Sequence, residues 1–215
     1  SIFVNSPHVA DFLSEQADEN YTCYIEVDSG YGRSGVNWKN STKIDEILNR
    51  FESAGNLTFR GFYTHTGDSY NARNTSEIRF YHRRTEAAFT ELKKRYGQRY
   101  HDLKLCSGDT PTASVVDDFG VINEISAGNL VYYDLMQSPR HGVGSCQLPD
   151  IAVAAAAPVV EIDHQQDSLL VHCGAVHLSK DQLKHDEYGE IFGLPVKVNR
   201  DENRQLTSWR DPLPG

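Results

Sequence analysis

Four short stretches of this sequence gather residue types that could do chemistry. In Val27-Asp28-Ser29-Gly30-Tyr31-Gly32-Arg33-Ser34-Gly35-Val36, a single arginine stands among three glycines. Such flanks let the backbone turn while the guanidinium reaches out to bind a phenolate or a carboxylate. The plainer reading is a solvated arginine in a turn. In Phe62-Tyr63-Thr64-His65-Thr66-Gly67-Asp68-Ser69-Tyr70, Tyr63 and His65 are two residues apart and point to one side of a strand, although a lone histidine at a strand end is more often structural. In Cys106-Ser107-Gly108-Asp109-Thr110-Pro111-Thr112, Gly108 permits close approach to an anion and Thr110 is expected to cap a helix, leaving N–H groups suited to phosphate. Ser126-Ala127-Gly128-Asn129 offers a second nest of N–H groups. Either loop alone reads as an ordinary capped turn, but paired nests on neighbouring loops recur as phosphate sites in barrels.

The elements that must carry these loops alternate in type. Ile2–Val4 reads as a strand, and Ser6-Pro7 opens a helix. Tyr21–Val27 is a strand. Asn40–Ala54 is a helix with Ile44, Ile47, Leu48 and Phe51 on one face. Leu57–Thr64 is a strand, Asn74–Tyr96 a long helix, Leu103–Cys106 a strand and Thr110-Pro111 the start of a short helix. Val121–Ile125 makes a fifth strand, and Leu130–Tyr133 is a candidate sixth. This alternation implies crossover units and a parallel sheet, either open or closed. Each polar stretch follows directly on a strand, which favours the rim of a (β/α)8 TIM-type barrel. With five or six strands in place of eight, that barrel is incomplete in this chain. After Gly144 the pattern changes to strands without long helices. We therefore expect an α/β barrel portion over residues 1–145 and the start of an antiparallel β domain over 146–215. Within the latter, Ile151–Val160 is expected to form a buried strand pair and Asp201–Gly215 a polar loop.

Composition excludes several classes. Lys plus Arg number 21 against 30 Asp plus Glu, a formal charge of −9, which argues against a nucleic-acid partner. No apolar run reaches the length of a spanning helix, and Ser1–Ala10 lacks the basic start of a signal peptide. The four cysteines, Cys23, Cys106, Cys146 and Cys173, show no metal-site spacing and read as buried, reduced thiols of a cytoplasmic protein. His141, His164, His177 and His185 read as surface or linker residues. His172 and Cys173 are neighbours on a strand and face opposite ways, so they are not read as a metal pair.

Taken together and in order, the motifs resemble those of fold-type III pyridoxal-phosphate (PLP) enzymes, the alanine racemase barrel group. The string Asp28 to Val36 resembles that group's D-x-G-x-x-R-x-G-V element. Gly61 to Tyr70 is similar to G-x-Y-x-H-x-G-x-x-Y, Ser107 to Thr112 to the G-S-T-P-T phosphate loop, and Glu124 to Asp134 to E-x-x-P-G-N-Y-x-F-Y-D. Gly142 to Cys146 with Asp150-Ile151-Ala152, and His172 to Ala175 with Leu178-Ser179, resemble the D-serine dehydratase / D-threonine aldolase branch. The resemblance covers roughly Ile2 to Asp181.

It implies a PLP-dependent lyase acting on small D-amino acids, by D-serine dehydration or D-threonine aldol cleavage, in a cytoplasmic homodimer. A non-catalytic PLP carrier and an amino-acid racemase on the same barrel are the alternatives. Arg33 would contact the phenolic oxygen of PLP, Tyr63 would lie against the pyridine ring and His65 beside it. Gly108, Asp109, Thr110, Gly128 and Asn129 would hold the phosphate, and Tyr132 would line the pocket. Three departures stand out. None of the eight lysines (Lys39, Lys43, Lys93, Lys94, Lys104, Lys180, Lys184, Lys197) has the P-H-x-K-[ST] setting of the lysine that forms the Schiff base. The branch's H-x-C or H-x-D metal motif is absent. Asp109 and Ala127 replace the usual Ser and Pro. The expectation is a longer protein, in which the lysine and any divalent-metal ligands lie outside this chain.

Overall fold

The computed structural model describes residues 1–16, 18–138, 143–174, 176–185, 189–204 and 206–212, the backbone alone at His185 and 206–212. His141 and Gly142, part of the expected domain junction, lie outside them, as does Ala175. The chain divides into two compact units, Ser1–Leu130 and Val131–Gly215.

The first unit is a parallel sheet backed by helices. Its strands are β1 (Ile2–Val4), β2 (Tyr21–Asp28), β4 (Leu57–Thr64), β5 (Lys104–Ser107) and β6 (Glu124–Ile125), hydrogen-bonded in that order, with the short β3 (Val36–Asn37) on the end of β2. Between them run α1 (Pro7–Gln16), α2 (Ser41–Ser53), α3 (Thr75–Tyr96) and α4 (Thr110–Val115). Helix starts follow local chemistry. The Asn40 side chain accepts the Lys43 N–H to begin α2, and Asn74 accepts the Glu77 N–H to begin α3. The apolar faces of α2 (Ile44, Ile47, Leu48, Phe51) and α3 (Ile78, Phe89, Leu92) are buried. The core joins most of them to Cys23, Ile25 and Val27 of β2, to Phe62 and to Leu105. Each large side chain so buried contributes about 1.5–3 kcal/mol of transfer free energy.

One irregularity decides which side chains reach the other face. The register of β4 on β2 jumps from Cys23↔Phe59 to Tyr24↔Gly61, leaving Arg60 as an extra residue. A one-residue bulge inverts the alternation beyond it. Leu57 and Phe59 pack with the core, and so does Phe62. Tyr63 is thereby turned to the opposite face, where Phe3 stacks on it at 4.0 Å. That face also holds Tyr24, whose hydroxyl donates to Glu124 at 2.8 Å.

The expected strands Ile2–Val4, Tyr21–Val27, Leu57–Thr64 and Leu103–Cys106 form as β1, β2, β4 and β5 to within a residue, the short β3 was not anticipated, and two later expectations are corrected. The fifth strand shrinks to Glu124–Ile125, because the Asn123 side chain accepts from Leu105 N and donates to Leu103 O, taking over the ladder. Leu130–Tyr133 is a turn, and Tyr133 has φ 51°, outside the strand region.

The second unit contains three antiparallel hairpins: β7 (Val159–Asp163) with β8 (Ser168–Val171), β9 (Leu183–His185) with β10 (Gly189–Ile191), and β11 (Val196–Arg200) with β12 (Leu206–Pro212). The expected buried strand pair at Ile151–Val160 does not form. Only Ile151 is buried, and residues 152–156 are exposed coil. Alanines bury too little to hold a strand, and Pro158 lacks the donor for a ladder. The polar tail is not a plain loop, since residues 206–212 pair with β11.

Candidate active site

All strands of the first unit run parallel, so the loops after β2, β4, β5 and β6 leave from one end of the sheet. The β2 loop is built on Asp28, whose Oδ1 accepts the N–H groups of Gly30 and Gly32 at 2.8 and 3.0 Å. It then folds back tightly enough for β3 to pair with β2. A side chain on Gly35 (φ 99°) would lie 2.7 Å from the Val27 carbonyl carbon, so only glycine fits that return. Ser34 donates to Glu26 at 2.6 Å, closing the loop around Arg33. The Arg33 guanidinium is exposed and lies 5.7 Å from the Tyr31 ring centre.

Tyr63 and His65 leave the end of β4. Burial raises the Tyr63 phenol pKa, aided by the Glu26 charge, and the Arg33 charge pulls it down. Arg33 and Tyr63 thus share one electrostatic neighbourhood. The Tyr63 hydroxyl lies over the backbone of Gly108, where a Cβ would sit 2.4 Å from it. This close approach requires glycine. His65 Nδ1 bonds the Gly108 carbonyl. A carbonyl only accepts, so Nδ1 carries the proton of this bond. Tyr31 meets that ring edge-on and Tyr70 stacks on it, each 5.9 Å between centres.

The β5 and β6 loops lie side by side. Gly108 N–H donates to Thr64 O at 2.9 Å, Thr110 N–H to the Tyr70 hydroxyl at 3.2 Å, and Asn129 N–H to the Thr110 hydroxyl at 3.2 Å. The donors expected to be free at Thr110 and Asn129 are therefore partnered by hydroxyl groups. Thr110 is not the helix cap either. Asp109 caps α4, its Oδ2 accepting from Thr112 N at 2.9 Å and from Ser69 Oγ at 2.7 Å. An aspartate is the stronger acceptor and precedes the first turn, as a cap must. Its carboxylate is buried, with Oδ1 and the nearby Thr112 Oγ1 lacking a protein partner.

The structure thus brings Arg33, Tyr63, His65, Gly108, Asp109, Thr110, Gly128 and Asn129 to one end of one sheet. Tyr132 belongs to the second unit and is 54% exposed. Three contributors went unread in the sequence: Tyr70 and Tyr31, which hold His65, and Ser69, which holds Asp109. Tyr31 sits inside the glycine stretch and Tyr70 three residues past a glycine, which is the signal that was available.

Other titratable groups are unsuited to such chemistry. Burial pushes the Cys106 thiol up to about 12, and burial with the Glu124 bond pushes Tyr24 up to about 12, so both stay protonated. Cys23, Cys106 and Cys146 are buried and free, while Cys173 is partly exposed. Among the described residues no cluster of three His, Cys, Asp or Glu side chains could hold a metal ion, and no helix is long and apolar enough to cross a membrane.

Comparison with known proteins adds five findings. Residues 1–134 match the family described as alanine racemase, N-terminal domain. The chain is similar to D-serine dehydratase of Dictyostelium discoideum, at 30% identity over 196 residues, covering 84% of this chain and 48% of that protein. It is also similar to D-threo-3-hydroxyaspartate dehydratase of Delftia sp. strain HT23, at 27% identity, covering 88% of this chain and 50% of that one. The solved Delftia enzyme superposes with a TM-score of 0.71 at 23% identity, over 95% of this chain and 53% of that one. The D-threonine aldolase of Filomicrobium marinum superposes at 0.65 and 17% identity, over 94% and 54% of the two chains. These structures share the barrel-type fold. The chain spans about half the length of the curated relatives it matches.

Proposed function

The chain belongs to the alanine racemase N-terminal-domain family, and from that premise we propose that it is the cofactor-holding part of a PLP-dependent lyase acting on small D-amino acids. The reactions proposed are dehydration of D-serine or a related hydroxy amino acid, or aldol cleavage of D-threonine. The observation that carries this reading is the convergence, at one sheet end, of a cationic loop, an aromatic pair and two hydroxyl-tied loops.

The residues present fit the cofactor. Thr110 and Asn129 N–H groups face hydroxyl oxygens at 3.2 Å, and a phosphate oxygen can take over both positions while the Tyr70 and Thr110 hydroxyls turn to donate. At Gly128 a Cβ would meet nothing within 4 Å, which leaves room for an anion. Asp109 carries a negative charge near that place, but its carboxylate is buried and committed to Ser69 and the helix cap. When bound, the pyridoxal ring supplies an electron sink for the substrate α-carbon. The chain's own part is orientation and charge: Arg33 stabilises a phenolate, Tyr63 and Phe3 provide an aromatic wall, and His65 presents its Nε2 beside it. The lysine and any divalent metal are assigned to residues outside this chain. A formal charge of −9 and free cysteines support a cytoplasmic protein with no nucleic-acid partner, and a homodimer completes the proposal.

The test is a spectrophotometric PLP titration of the intact protein, followed by assay with D-serine, D-threonine and D-threo-3-hydroxyaspartate. Saturable PLP binding with release of pyruvate and ammonia, of glycine and acetaldehyde, or of the corresponding keto acid is expected. Racemisation of alanine without cleavage or elimination would overturn the lyase reading.

A further inference from the structure

We propose that Thr85, on α3 and outside every loop assigned to the cofactor, is a positioning residue that locks the Arg33 loop to the strand end bearing His65. The proposal rests on the site reading given above. Thr85 is 1% exposed. Its hydroxyl lies 3.0 Å from that of Ser29 and 3.0 Å from that of Thr66. Thr64 Oγ1 is in turn 2.7 Å from the Val27 carbonyl and 3.2 Å from Ser29 Oγ. Ser29, Thr64 and Thr66 are all buried.

These contacts form one connected chain of buried hydroxyl groups. The Val27 carbonyl can only accept, so it takes the one proton of Thr64. The same Thr64 hydroxyl is directed at Ser29 Oγ at 3.2 Å, and the Ser29–Thr85 and Thr85–Thr66 pairs can each run in either direction. The chain begins beside His65, crosses to α3 at Thr85, and returns through the root of the Arg33 loop to the end of β2. Thr85 is its only member from a helix. The preceding residue of α3 braces the same gap: Arg84 pairs with Asp68 and lies against Gly30, where a Cβ would come within 3.1 Å of its Cζ. Removing the Thr85 hydroxyl takes from the buried Ser29 and Thr66 hydroxyls the partner they share, so the two arms can no longer hold one fixed separation.

The experiment compares the intact wild-type protein with Thr85→Val, Thr85→Ser and Arg33→Ala in three readouts: PLP dissociation constant, absorption spectrum of bound PLP, and urea midpoint. Thr85→Val should weaken PLP binding about tenfold (about 1.4 kcal/mol) and shift the balance of the absorption bands, while Thr85→Ser restores both. Should Thr85→Val fail to fold, Ser29→Ala breaks the same chain from the loop side and is expected to give the same affinity loss and spectral shift. A Thr85→Val or Ser29→Ala protein with lowered urea midpoint but wild-type affinity and spectrum would reduce Thr85 to a packing role and overturn the inference. Wild-type affinity in Arg33→Ala would instead overturn the underlying assignment of the site, and the inference with it.

Discussion

Arg33 and Tyr63 leave strands that are neighbours in the sheet, and the positive charge of one acts on the phenol of the other. If Arg33 stabilises a phenolate by charge-assisted bonds, it is worth about 1.5–3 kcal/mol. Arg33→Ala should then weaken PLP binding roughly ten- to hundredfold in an equilibrium titration, with an unchanged circular dichroism spectrum. A solvated turn arginine would change stability by about 0.5 kcal/mol at most, and affinity not at all. His82, on α3, permits a second prediction. It is 5% exposed against the Phe119 ring, and burial lowers its pKa below the usual value, opposed by the Glu86 charge and the Asp118 backbone. The unfolded chain therefore binds this proton more readily, so stability is full above about pH 6.5 and falls as pH drops below it. His82→Phe should flatten that part of a urea-midpoint versus pH curve, and an unaltered slope would count against it. At this scale the sequence placed Arg33, Tyr63 and His65 at strand ends and the loops after them, because glycine spacing and strand alternation are local. It did not show that Ser69 meets Asp109, nor that Tyr70 meets Thr110. Those contacts join residues some forty positions apart, and no local pattern encodes them.

The strands and helices from Ile2 to Val115 follow from apolar period and capping residues, and these were legible. What periodicity could not show is the bulge at Arg60. Leu57, Phe59, Gly61 and Tyr63 alternate regularly on paper, yet the extra residue sends Tyr63 to the face opposite Leu57. Deleting Arg60 should restore the regular register and bury the Tyr63 side among the helices. The expected result is loss of PLP binding together with a destabilised fold, read by titration and thermal melt. The α4 cap gives a more graded test. Asp109→Ala removes two bonds, from Thr112 N and Ser69, and should cost about 1–3 kcal/mol in urea unfolding. Asp109→Asn keeps a cap acceptor and should lose less than half of that. Equal losses in the two variants would mean that the carboxylate charge, not the cap, matters there. In the second unit, by contrast, the antiparallel texture was legible but its limits were not, since short hairpins with exposed valines and leucines carry little periodic signal.

Across the whole molecule, the parallel order β1-β2-β4-β5-β6 explains why residues far apart in sequence meet. Each crossover returns the chain to the same sheet direction, so successive loops accumulate at one end. Nothing in that architecture requires a particular cofactor. In the proposed site the loops are tied locally: Arg33 by its glycine return, His65 by the Gly108 carbonyl, and the β5 and β6 loops by the Asn129–Thr110 bond among others. The most direct test of this arrangement is a crystal structure of the intact protein with PLP. It should show the phosphate within hydrogen-bond distance of Thr110, Gly128 and Asn129, with the ring against Tyr63 and its phenolic oxygen facing Arg33. A phosphate bound elsewhere, or a ring out of reach of both Tyr63 and Arg33, would contradict the account.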